Sequence, residues 1–331
     1  MPGAYRPDRA SRLAAACLTV AAALALVALL LPAGPRNSGD VPRATLVVAD
    51  LRGGALIVVD AAAPASARRI ALPGGPHEVL QLPDGRLVAS LEQRGSLAIL
   101  DPAGDAMTTL EVGGLPHGLA FGGGVLYVTD RASGALRRWQ VADWSELPPQ
   151  PAGSAPHAVA LLANGAAAVA DAGASTLRLG TATHVVGELP ETVAVDRADG
   201  RVAVAAAGSG EVELFDAAGT RSWRVSVGGR PVRAAFGADG TLAVALAADG
   251  AVALIDGAGG VRRVAVGGVL DGLAFDAGGR WLYASDLHGR LAVIDVAGAH
   301  LHTVIDLGGG GALLVLAPPA RPPAPAAAVR Q

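Results

Sequence analysis

The stretch that decides the fold runs from Gly75 to Gly114 and reads GPHEVLQLPDGRLVASLEQRGSLAILDPAGDAMTTLEVGG. An apolar run at Glu78–Leu82 meets a Pro83-Asp84-Gly85 turn, and an alternating run follows at Arg86–Leu91. A turn through Gly95 leads to a third run ending Leu100-Asp101. A loop at Gly104 then precedes a last run into Gly113-Gly114. Short apolar runs split by Asp, Gly and Pro are the pattern of consecutive hairpins, because Gly and Asp accept the φ > 0 positions of tight turns. One phrase is therefore a four-stranded antiparallel sheet.

The phrase repeats. Its Pro-His opening stands at Pro76-His77, Pro116-His117 and Pro156-His157, spaced by 40 residues each time. Weaker copies at Pro190-Glu191, Pro231-Val232 and Leu270-Asp271 follow at steps of 34, 41 and 39. The first turn recurs as Asn164-Gly165, Asp199-Gly200, Asp239-Gly240 and Gly278-Gly279. The end of the third strand recurs as Val59-Asp60, Phe215-Asp216, Ile255-Asp256 and Ile294-Asp295. A four-stranded unit of this period is the blade of a β-propeller. Ala44–Asp50, Ala55–Asp60 and Arg68–Leu72 read as strands two to four of a blade that lacks its first strand, and Gly311–Leu316 reads as a strand with no blade. The sequence thus predicts an all-β fold: a seven-bladed β-propeller over residues 44–317, closed by a C-terminal strand joining the N-terminal blade, which removes two open sheet edges.

The ends read differently. Arg6, Arg9 and Arg12 precede the apolar run Ala14–Leu31, the pattern of an export signal or of an uncleaved anchor. Residues 1–33 are therefore expected to direct export to the periplasm or cell exterior, with a possible membrane tether through residues 14–31. Residues 34–43 read as a linker, and residues 318–331 as a disordered Pro/Ala-rich tail. The net charge is −3 and argues against nucleic acid as a partner. All 26 basic residues are arginine, which excludes Schiff-base lysine chemistry and a P-loop. Cys17 is the only cysteine, so no internal disulfide or cysteine metal site is expected.

Tyr127-Val128-Thr129-Asp130 and Tyr283-Ala284-Ser285-Asp286 occupy second-strand positions. Together with the Gly-x-Pro-His-Gly opening at Pro116-His117-Gly118 and the Val/Ile-Asp endings, they resemble the YVTN-repeat β-propellers over about residues 44–316. The resemblance implies an exported propeller, related to lactonase-like and streptogramin-lyase propellers. It carries over no catalytic set, and no CxxCH, GxSxG or HExxH occurs.

Loops entering the innermost strands and loops joining strands two and three should open on one face around the channel. That places His77, His117, His157, Glu191, Arg233 and Asp271 in a ring. Glu92, Asp130, Arg131, Asp171, Asp286 and His288 are expected further out. Three imidazoles suit zinc or copper and leave an open coordination position. With Glu191 or Asp271 they could instead act as acid and base. The plain alternative is that Pro-His is a turn consensus whose imidazole bonds the neighbouring backbone. The functions open at this point are a binding or scaffold module for a small ligand or protein partner, and a lactonase- or lyase-like enzyme; a monomeric propeller is expected. His184, His300 and His302 are expected on exposed outer strands, and Arg137-Arg138-Trp139 with Trp144 beside a solvated Pro-rich loop at Ser145–Pro151, the tryptophan packed on the blade rim.

Overall fold

The computed structural model describes residues 43–311 and 313–315. The predicted export segment, nearly all of the linker, and the tail lie outside the described residues. Among the described residues no helix is long and apolar enough to cross a membrane.

The chain forms seven four-stranded antiparallel sheets, the blades of a β-propeller. Blade two is the phrase first read: Val79–Gln81, Leu87–Leu91, Ser96–Leu100 and Met107–Glu111. Blades three to seven begin at Pro116–Gly122, Pro156–Leu161, Pro190–Val195, Pro231–Phe236 and Leu270–Phe275. Blade one is closed as expected, with Leu313–Val315 lying antiparallel to Thr45–Asp50.

The residues explain this architecture. The second and third strands of blade two are buried throughout, whereas its fourth strand is mostly exposed. Central strands such as VAVAA at Val202–Ala206 and LAVAL at Leu242–Leu246 are covered on both faces by neighbouring blades, so their side chains are apolar without alternation. Alanine on these faces lets adjacent sheets approach closely. The two repeated Asp/Asn positions are hydrogen-bonding devices. Asp84, Asn164, Asp199 and Asp239 each accept the N–H two residues on, and Gly85 completes its turn at φ 90°. Asp101, Asp216 and Asp256 each accept two N–H groups of the loop before the fourth strand.

Two expectations are corrected. Ser145–Pro151 is the fourth strand of blade three, not a loop. Its three prolines are tolerated because an outermost strand leaves one backbone edge to solvent. Trp139 is 2% exposed, inside the core rather than on the rim. Of the outer histidines, His184 packs on Phe215 and His302 on Trp281, while His300 is exposed.

Candidate functional site

The channel end where the innermost strands begin is polar because of a recurrent β-bulge. In blades four to seven the pairing of strands one and two skips a residue just after the opening position: His157, Glu191, Val232 and Asp271. In blade three it skips His117 and Gly118. A bulge frees a side chain from the pleat and re-aims it, here at the axis for the polar residues, while Val232 stays in the core. The ring position of blade six is therefore Val232, and Arg233 reaches the site from the next position. Glu78 stands at that same next position in blade two. It was missed in the sequence, where it looked like the first residue of a strand; its offset of two from Pro76 matches that of Arg233 from Pro231 and was the available signal.

The histidines form a row. The His77 and His117 rings lie 4.0 Å apart between centroids, and those of His117 and His157 lie 3.9 Å apart. His157 Nδ1 is 2.7 Å from the Glu191 carbonyl oxygen, which fixes it as the donor. His117 is 1% exposed, and neither of its ring nitrogens has a hydrogen-bond partner among the described residues; the same holds for His77 Nδ1. His77 Nε2 lies 3.9 Å from Glu92 Oε2. Burial holds the His117 imidazole well below the ordinary histidine range, assisted by His157, His77 and the Arg131 and Arg233 cations. Burial also lowers His157, with Arg131, His77 and Arg233 adding to it and the bond to Glu191 opposing. Both rings are therefore neutral at pH 7.

Arg233 crosses the channel. Its guanidinium pairs with Glu78 of blade two, donates through Nε to the Asp271 carbonyl at 2.6 Å, and lies 3.8 Å from the Asp271 carboxylate. Burial works against its charge, but Glu78 and Asp271 outweigh burial and hold it above its usual range. Arg131 pairs with Glu92 at 2.7 Å, and Arg230 with Glu191 at 2.9 Å. These four carboxylates and three guanidinium groups leave one net negative charge beside the neutral His117 and His157. One carboxylate oxygen of Glu78 and ring nitrogens of His77 and His117 lie within 4.8 Å of one another. The structure thus groups Glu78, rather than His157, with those two histidines.

Other predicted positions serve the blades. Asp130 is buried and accepts the N–H groups of Leu115 at 2.9 Å and Ala132 at 3.0 Å. Asp171 likewise accepts those of Ser154 and Ala155, both at 2.8 Å. Asp286 accepts the N–H groups of His288 and Arg290, and His288 is exposed. These carboxylates hold loops where the chain passes between blades or between strands. The residue before Asp130 joins two blades: Thr129 Oγ1 accepts from Gly118 N and donates to the His157 carbonyl at 2.9 Å. Ser285 Oγ does the same work at ring closure, donating to the Gly311 carbonyl at 2.5 Å.

The opposite channel end holds a cavity of about 760 Å³. It is lined from four successive blades by Leu80, Leu82, Phe121, Leu161 and Val195, with Asp196 and Arg197 at one side.

Neither a protein-family model nor a curated protein sequence matches this chain. Solved structures do. A functionally unknown protein from Desulfotomaculum acetoxidans is similar with TM-score 0.71 at 12% identity, over 83% of this chain and 99% of that one. A candidate 6-phosphogluconolactonase of Bacteroides fragilis is similar with TM-score 0.66 at 14% identity, over 85% and 100%. Catalytically inactive virginiamycin B lyase of Staphylococcus aureus, solved with quinupristin, gives TM-score 0.61 at 12% identity, over 70% and 83%. At these identities the likeness establishes the propeller fold alone.

Proposed function

We propose that the chain is an exported YVTN-type propeller acting as a binding module, which takes a small ligand at the histidine end of its channel. The observation that carries this is His117: fully buried, neutral, and without a partner among the described residues on either ring nitrogen. A histidine kept only to support a turn spends an N–H on backbone, as His157 does. Leaving a buried polar group unpaired costs about 1–3 kcal/mol, a cost that a binding site tolerates and a mere turn does not. The net negative charge of the cluster favours a ligand that brings positive charge. His117→Phe tests this without knowing the ligand. Phe keeps an aromatic ring between His77 and His157 and removes both unpaired nitrogens, so the variant should be more stable than the native chain by about 1–3 kcal/mol in denaturant unfolding. A loss of stability of that size would mean the imidazole already has its partners within the fold, and would sink the reading.

A second reading has its own support, since two imidazoles held neutral at pH 7 are competent bases. On this reading the chain is a lactonase- or lyase-like enzyme. Incubation with 6-phosphogluconolactone and with quinupristin tests it: turnover abolished by His117→Phe supports it, and no turnover of either ends it for those substrates. Export is tested by fractionating cells that express the full chain with and without residues 1–33; only the longer form should leave the cytoplasm.

A further inference from the structure

We propose that His77, Glu78 and His117 form a binding site for one divalent transition-metal ion, of the zinc class, at the histidine end of the channel. The inference rests on the binding-module reading and names its ligand. Two imidazoles and one carboxylate are a zinc donor set that leaves a fourth position open to a water or a small ligand. The three donor atoms already lie within 4.8 Å of one another, so closing on a common ion asks for small side-chain rotations. The partnerless nitrogens supply the second observation: His117 offers either ring nitrogen and His77 offers Nδ1.

The surroundings fit a cation. Glu78 uses Oε1 for Arg233, so its Oε2 remains for a metal while Arg233 holds the carboxylate in place. Glu92 stands 3.9 Å from His77 Nε2 and would orient a ligating imidazole once it closes to hydrogen-bond distance. Asp271 and Glu78 together offset the Arg233 charge nearby. His157 is outside the set, because the donor atoms that lie within 4.8 Å of one another come from His77, Glu78 and His117.

The test uses the full chain, stripped with chelator and titrated with cobalt(II) and with zinc(II). One equivalent of cobalt should bind and give the intense visible absorption of a four-coordinate centre, and zinc should displace it. Glu78→Gln and His117→Phe should each weaken binding by more than about 100-fold, beyond the 10–100-fold typical of a lost outer partner, which is the range expected for Glu92→Gln. His157→Gln should bind as the native chain does. Far-ultraviolet circular dichroism checks that each variant is folded, and the mild Glu78→Gln change keeps the test open if His117→Phe misfolds. Absence of cobalt binding, or binding unchanged in Glu78→Gln and in His117→Phe, overturns the metal site. If binding is absent while His117→Phe still stabilises the chain, the metal fails and the binding-module reading stands. If His117→Phe destabilises the chain, that reading fails by itself.

Discussion

The two ends of the channel are built from the two ends of the same innermost strands, yet they differ in kind. At the entry end, bulged residues and their neighbours fill the axis with His77, His117, His157, Glu78, Arg233 and Asp271, packed against one another. At the exit end the strands finish in Leu80, Leu82, Phe121, Leu161 and Val195, around an apolar cavity of about 760 Å³. The difference teaches how a repeat divides its labour. Regular pairing at the exit keeps side chains in register with the apolar core, while the bulge at the entry releases His117, His157, Glu191 and Asp271 from that duty and lets them be polar.

The largest contrast should come from charge. Arg233→Met leaves Glu78 and Asp271 facing each other without a cation and should cost about 3 kcal/mol, the lower end for a broken buried pair, since Glu78 keeps some exposure. Adding Glu78→Gln to that variant should recover most of the loss, which a double-mutant cycle in urea would measure. Next comes pH, in the chelator-treated chain. The folded-state values of His117 and His157 lie below the unfolded value near 6.5, so the unfolded chain binds more protons in that window. Stability is fully present above about pH 6.5 and falls as pH drops, by at most about 1.4 kcal/mol per unit for each ring. Replacing His117 with Phe should roughly halve that slope; an unchanged slope would assign the titration elsewhere. Thr129→Val, which removes the tie between blades three and four, should cost about 1 kcal/mol, read as a shift in the urea midpoint. The smallest effect belongs to the exit end. Leu161→Ser, on the half-buried cavity wall, should cost about 1 kcal/mol or less and leave the pH dependence unaltered. A loss as large as that of Arg233→Met would erase the contrast between the two ends.

Much of this was legible in the sequence, for local reasons. Asp84-Gly85 and its copies mark turns because the carboxylate bonds the N–H two residues on, whatever lies around them. Leu313–Val315 was readable as the closing strand because an apolar run without a blade has one place to go. What stayed hidden depends on distant residues. Glu78 meets an arginine 155 positions away, and its spacing from Pro76 alone does not announce that. Asp130 and Asp171 looked as available as Asp271, but their N–H partners are fixed by where the preceding blade hands over the chain. Ser145–Pro151 reads as a loop by its prolines and becomes a strand because it is outermost. The cavity wall is indistinguishable from core in a list of apolar residues.

The closing strand also makes the ring mechanically uneven. Among the described residues, Thr45–Asp50 lies between two partners, with six paired positions to Ala55–Asp60 and three to Leu313–Val315, whereas Leu313–Val315 has a hydrogen-bonded neighbour on one side only. A load applied at the N-terminus must shear two ladders at once. The same load at the C-terminus has a single ladder to break. The ring therefore resists being drawn open from its first strand and opens most readily from its last, and the strand that seals it is also its release.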